Sequence, residues 1–462
     1  MNPTSGGAPT TKPVPATPRD YRFPRYERRT LPNGVQLLVA SVHKLPLATV
    51  LVIVEAGASA EPEGKHGVAA LTARLLLEGA AGLDAAELAE RFESIGASVE
   101  AQADWDVTTV SLTALSDRLP ESLALVRDLI RWPTFPEREV QRLKEQRLAD
   151  LLQQLAEPRG LADERFANAA YAPTARYASP EEGDAVSVRA LTRLDIESFY
   201  AARYQPACTT LIFSGDVTMA VAEALSTSLF GEWAGHHPMS NPSGIDAAQP
   251  GRLVRVIAKS EAPQSELRVG HVGIPRNAPD YFDVMVMNAV LGGLFSSRIN
   301  LNLREVHGYT YGASSAFEWR RGAGPFVVQT AVKSDVTGAA VQEILGEIDR
   351  MRSAPIADDE LTLATSYLDG VFPIRYETTA AIARALANLV IHDLPENYYD
   401  AYRSRVRAVT TDGVLRAAQN HLRPDQLRVV VVGDPAVVAE PVGKVTGVAP
   451  EIVNGDGGEV TR

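Results

Sequence analysis

Apolar positions along this chain keep two rhythms in turn, one of period two and one near 3.6, which mark strands and helices. Arg28 to Val39 reads as two short strands around a turn carried by Pro32-Asn33-Gly34. A stronger strand follows at Thr49–Glu55, and Gly57–Gly64 forms a loop. His66–Glu78 sets Val68, Leu71 and Leu75 at i, i+3 and i+7, the spacing of one helical face. Further helices are predicted over Asp84–Ile95, Leu119–Arg131 and from Pro136 to about Glu157. Strands at Ala97–Ala101 and Val107–Leu115 fall between them.

The pattern then repeats. Ala190–Val217 runs helix, Pro206, β-branched strand, Gly215-Asp216; Ala408–Pro435 runs helix, Pro424, the strand Leu427–Val432, Gly433-Asp434. Each mark is displaced by 218 residues (206 to 424, 215 to 433, 216 to 434). A constant displacement points to two copies of one α+β domain. The expected division is a lead-in 1–25, a first domain 26–234, a linker 235–251, a second domain 252–442 and a tail 443–462. Pro, Thr and Gly in the lead-in predict a flexible segment, and the Gly-rich aperiodic tail predicts disorder. Two like halves on a hinge suggest a clamshell with a cavity between them.

Bulk composition narrows the function classes. At 462 residues the chain exceeds one ordinary core. Its 45 basic and 57 acidic residues give a net charge of −12 with no basic block, against a nucleic-acid or anionic-membrane partner. Cys208 is the one cysteine, which excludes a disulfide framework and a multi-cysteine zinc site. It lies in the strand-like run to Phe213 and reads as a buried, inert thiol. No run approaches the roughly 20 apolar residues of a membrane span. Met1–Pro24 lacks the apolar stretch of a secretory leader, which favours the cytoplasm; a removed leader would allow the periplasm.

The histidines are His43, His66, His236, His237, His271, His307, His392 and His421, and no two are three or four positions apart. Neither His-Glu-x-x-His nor its inverse His-x-x-Glu-His is therefore present, though zinc hydrolases need about three ligands and an acid that activates water. Adjacent His236-His237 reads as a solvated turn in the linker. Gly-x-Ser-x-Gly, the P-loop and a strand–helix Gly-x-Gly-x-x-Gly are absent too, so serine hydrolysis and nucleotide binding have no support.

Two segments nevertheless resemble the pitrilysin, insulysin and mitochondrial processing peptidase family, from about Tyr26 to Pro435. The family's Gly-Leu-Ala-His-Phe-Leu-Glu-His-Met-x-Phe-x-Gly is matched by Gly67-Val-Ala-Ala-Leu-Thr-Ala-Arg-Leu-Leu-Leu-Glu-Gly79. Gly67, Ala69 and Gly79 are kept, but Ala70 and Arg74 stand at the histidine places and Ala73 at the catalytic glutamate. These three share one helical face, where two methyls and a guanidinium cannot bind a dication. The family's third ligand should fall near Ala149–Leu151, where Asp150 is the one carboxylate. In the second half, Leu291-Gly-Gly-Leu-Phe-Ser-Ser-Arg-Ile-Asn-Leu-Asn-Leu-Arg-Glu-Val-His-Gly-Tyr-Thr-Tyr311 is similar to the family's Leu-Gly-Gly-x-x-Ser-Ser-Arg-Leu…Leu-Arg-Glu-x-x-Gly-x-x-Tyr.

The resemblance implies two homologous α/β-sandwich domains in an α+β clamshell, no metal in this chain, and a substrate-binding, oxyanion-supporting pair at Arg304 and Tyr311. Local pairing of Arg304 with Glu305 is the simpler alternative, and His307 reads as a turn residue. In two-chain members one subunit brings zinc and the other the Arg/Tyr pair. The resemblance therefore implies a zinc-bearing homologous partner and peptide substrates, the alternative being a catalytically dead structural or peptide-binding member.

Overall fold

The computed structural model describes residues 20–235 and 250–455. Strands β1 (Glu27–Thr30), β2 (Gln36–Ser41), β3 (Leu47–Val54), β4 (Ser98–Ala103), β5 (Thr108–Leu115) and β6 (Thr209–Gly215) form one sheet, ordered β1-β2-β6-β3-β5-β4. Strands β7 (Leu253–Ala258), β8 (Gln264–Val272), β9 (Ala313–Phe317), β10 (Pro325–Lys333), β11 (Arg428–Gly433) and β12 (Glu451–Val453) form another, ordered β12-β7-β11-β8-β10-β9. Five strands of each correspond in order and direction. β2 runs parallel to β6 as β7 does to β11, and the remaining neighbours among the five are antiparallel. The fold is the duplicated α+β architecture that the repeat implies.

What joins the halves follows from burial. β3 is buried at every position but its first, and β6 and β11 throughout. Strands that bury both faces require cover on both sides of the sheet. In the first half, the helix Leu119–Arg131 packs against β5. The opposite faces are covered by exchange, and four helices besides α1 (Val68–Leu75) matter here: α2 (Glu137–Ala156), α3 (Pro158–Ala170), α4 (Asp358–Arg375) and α5 (Thr379–Ile391). First-half α3 packs on β8 and β11 of the second sheet, and second-half α5 packs on β3 and β6 of the first. The two helices are equally long and 221 residues apart (158 to 379, 170 to 391).

Side chains make the exchange specific. Leu38, Leu51, Ile53 and Ile212 of the first sheet share a core with Ile382, Ala383 and Leu386 of α5. Leu161, Ala162 and Phe166 of α3 share another with Val327, Val430 and Val432. Gly270 makes room for it, since a Cβ there would lie 2.9 Å from Cζ of Phe166. Polar ties add register: Thr49 Oγ1 to Thr379 Oγ1 at 2.8 Å, and Arg321 Nη2 donating to Glu55 Oε1 at 2.8 Å.

Three expectations need correction. The lead-in is not wholly loose, because Phe23 is buried, stacks on Tyr399 at 4.5 Å and meets Tyr376 edge-on. Isolated aromatics carry no periodicity, so sequence pattern cannot see such a clip. The tail is ordered through 455: a helix over Pro435–Thr446 ends at Gly447 in the left-handed region, and β12 then pairs with β7. Its few apolar residues are too short a run to show a period. Lastly, an 18-residue window within Tyr281–Val306 has a mean hydropathy of 1.3, apolar enough for a membrane span by composition, but 56% of that window is buried inside the protein and the helical run breaks at Leu294–Ser297. Most of the linker 235–251, with His236-His237, lies outside the described residues, as do 1–19 and 456–462.

If the exchanged helices hold the halves together, Phe166→Ala should lower the free energy of unfolding by about 3–5 kcal/mol, measured by urea titration.

Candidate functional site

Helix α1 starts where Gly67 turns the chain through a left-handed conformation, φ +93°. The buried Glu61 carboxylate accepts the Gly67 and Ala69 amides, each at 2.9 Å, and is held by Arg176 at 2.8 Å. It satisfies orphan donors of the helix start. Ala70 and Ala73 then sit in the packed interior, with Ala73 fully buried. Arg74 turns toward the segment 179–184 and donates from Nη2 to both Glu182 oxygens, at 3.1 and 3.2 Å.

The same carboxylate receives Arg147 of α2 at 3.3 Å. Arg147 also donates to the carbonyls of Glu182 and Gly183, each at 3.3 Å. Burial lowers the pKa of that guanidinium, with Glu182 opposing. A Cβ on Gly183 would lie 2.3 Å from the His66 carbonyl, so the 179–184 segment lies tight on the start of α1. Asp150, by contrast, is exposed. The α2 side chain that meets Glu182 beside α1 is Arg147, three residues earlier on the buried stripe Val140, Leu143, Lys144, Arg147 and Leu151. Zinc needs lone-pair donors, and this face offers two methyl groups and two guanidiniums around one already engaged carboxylate. These residues do not fit a zinc ion. Glu182 and Arg147 were not foreseen: Glu182 lies 108 positions from Arg74, beyond any spacing rule.

A cavity of about 470 Å³ adjoins this cluster, with Arg147, Glu181 and Glu182 on one side and Trp105, Phe166 and Arg320 among its other walls. The Glu181 carbonyl accepts from Arg176 Nη2 at 2.7 Å, and its carboxylate accepts no hydrogen bond among the described residues. Burial pushes its carboxyl up to about 7 from 4.5, and nearby Asp104 adds to the rise.

In the second half, the helix from Tyr281 ends in a π turn at Ala289–Gly293, and after the break at Leu294–Ser297 a second one starts at Arg298 and ends in a π turn at Leu301–Val306. Gly292 is required there, since a Cβ would lie 2.6 Å from the Ser315 amide. Asn300 accepts the Ala313 amide at 3.0 Å and donates to the Phe295 carbonyl at 2.6 Å, pinning both loops. Arg298 of the Ser-Ser-Arg motif is structural, clamped on Glu360 by two 2.6 Å bonds. Arg304 is half-exposed, 3.5 Å from Glu305 and stacked over Phe295 at 4.6 Å. Tyr311 is 95% exposed and its hydroxyl has no partner among the described residues. It borders a hollow of about 240 Å³ shared with Arg159, Gln264, Glu266, Ser314 and Gln329, and Arg304 is not among the lining residues. His307 stacks on Tyr309 and faces Glu343 at 3.8 Å. Cys208 is buried, with its thiol pushed up to about 11 by burial.

Residues 38–179 match the insulinase (peptidase family M16) description and residues 190–368 match the peptidase M16 inactive domain. The chain belongs to the M16 peptidase family. An uncharacterized zinc protease of Streptomyces coelicolor is 22% identical over 86% of the M16 chain and 87% of its own length. The probable mitochondrial-processing peptidase subunit beta of Arabidopsis thaliana is 21% identical over 87% and 77%. A crystal structure of a peptidase M16 inactive domain from Pseudomonas fluorescens superposes with a TM-score of 0.83 at 27% identity, over 88% of the M16 chain and 98% of its own.

Glu182→Gln should leave Arg74 and Arg147 without their shared anion and cost about 1–3 kcal/mol, discounted for partial exposure. Asp150→Asn should cost less than about 0.5 kcal/mol in the same denaturation series. Because folding raises the pKa of Glu181, its contribution to stability is full below about pH 4.5 and is lost as pH rises toward 7. Glu181→Gln should remove that slope and gain on the order of 1 kcal/mol over wild type at pH 8, read from melting curves across pH.

Proposed function

We propose that this chain is the zinc-lacking subunit of a two-subunit metallopeptidase, supplying substrate-binding and oxyanion-supporting donors to a zinc-bearing homologous partner. One contrast carries the reading: the α1 face holds Ala70, Ala73 and an Arg74 tied to Glu182, while Tyr311 presents a free hydroxyl to solvent. A phenol and a guanidinium are strong donors toward a peptide carbonyl oxygen as it gains charge, and cannot activate water. Zinc is then expected in the partner, and peptides that fit between the two chains are the substrates. The beta-subunit name of the Arabidopsis relative is in keeping with such a pairing.

Arg304's contacts with Glu305 and Phe295 favour a second reading, in which the chain is a catalytically dead structural or peptide-binding member. Mixing the purified chain with a zinc-bearing homologue and following a fluorogenic peptide separates the two. Turnover should require both chains, and Tyr311→Phe and Arg304→Ala should each lower kcat by about 10²-fold. A stable assembly that never cleaves would favour the scaffold reading, and unchanged turnover in both variants would end the assigned role.

A further inference from the structure

Because α3 lies on the second sheet, the hollow beside Tyr311 is built by both halves: Arg159 comes from the first, and Gln264, Glu266, Ser314 and Gln329 from the second. We propose that Arg159 anchors a carboxylate of a bound peptide there, with Tyr311 as its companion donor. The proposal rests on reading Tyr311 as a substrate-facing residue, and it adds a guanidinium that the Arg304 motif does not contain.

The charges of the hollow point to an anion. The carboxylate in its wall, Glu266, is neutralised from behind by Arg268 at 2.8 Å, and Arg268 itself also holds Asp163 at 2.5 Å. Arg159 lines the same hollow and has no ion pair among the described residues. Its own carbonyl accepts from Arg268 Nη2 at 3.3 Å, which fixes the root of the side chain over β8. One uncompensated guanidinium with a planar fork suits a singly charged carboxylate; a phosphate dianion would call for further cations. The remaining walls supply neutral donors, the amides of Gln264 and Gln329 and the hydroxyl of Tyr311.

Size and position say which part of a peptide enters. A hollow of about 240 Å³ has the share of roughly eight waters, enough for one terminal residue or one acidic side chain. β9 begins at Ala313, just past Tyr311, and is the outermost strand of its sheet, so an extended peptide laid along β9 would bring its end to Arg159.

The test needs no partner chain. A labelled peptide of about ten residues and its C-terminal amide are titrated against the full chain by fluorescence anisotropy. The free acid should bind about tenfold tighter than the amide. Arg159→Ala should bring that ratio to one, Arg159→Lys should leave an intermediate value, and Arg138→Ala, an equal loss of charge elsewhere on the first half, should preserve it. An amidated peptide carrying a final glutamate distinguishes the source. If it recovers the tenfold gain, a side-chain carboxylate serves, and the assignment of Arg159 stands provided that gain also vanishes in Arg159→Ala. Equal binding of acid, amide and glutamate peptides to wild type, no binding by any of them, or a preference that survives Arg159→Ala in a variant with an unchanged melting curve overturns the proposal. A mixture with the zinc-bearing homologue that fails to cleave would refute the two-subunit reading while leaving this result intact.

Discussion

Each sheet of this protein has two apolar faces and enough helix in its own half to cover one of them. Everything else about the architecture follows from how the second face is closed. The strands β3, β6 and β11 are buried along nearly their whole length, which water on either side would make untenable. Crossing α3 and α5 between the halves removes that water and turns two similar domains into one body. Gly270 shows how far the sequence is committed to the arrangement, since its bare Cα receives the ring of a helix from the other half.

The same crossing decides what the candidate sites look like. It brings Arg159 to the second sheet beside Tyr311, and it sets Phe166 in the wall of a cavity that reaches Arg147 and Glu182. Beside Ala70 and Ala73 on α1, Arg74 joins a compact charge cluster. One carboxylate between two guanidiniums satisfies the cations only because the 179–184 segment sits against α1, which two glycines, Gly67 and Gly183, permit. The α1 face is thus closed by packing and ion pairs, whereas Tyr311 stands exposed.

Much of the fold was legible because its signals are periodic or repeated. The helix Leu119–Arg131 has the bounds its apolar spacing predicts, and β3 and β5 lie where alternation or β-branched runs placed them. The Pro-strand-Gly-Asp marks at a displacement of 218 residues reveal the duplication, and corresponding strands β6 and β11 bear it out. Less legible was whatever depends on single residues meeting across long stretches of chain. Asp150 is the one carboxylate at the distance a third ligand would require, yet helical phase turns it to solvent and puts Arg147 inward. Arg304 and Tyr311 stand seven positions apart in a recognisable motif, but Tyr311 lines the hollow beside Arg159 and Arg304 does not. Arg159 has no motif at all, since its position depends on which sheet its helix covers.

The exchange also bears on how such a chain could have arisen. A half-length ancestor, carrying one sheet and one outgoing helix, would have had an uncovered face and a helix with nothing of its own to rest on. Two identical copies trading that helix satisfy both needs at once, each lending what the other lacks. Fusing the copies end to end keeps every contact and frees each half to diverge, so the present asymmetry between a closed α1 face and an open tyrosine loop is one that a symmetric pair could never have held.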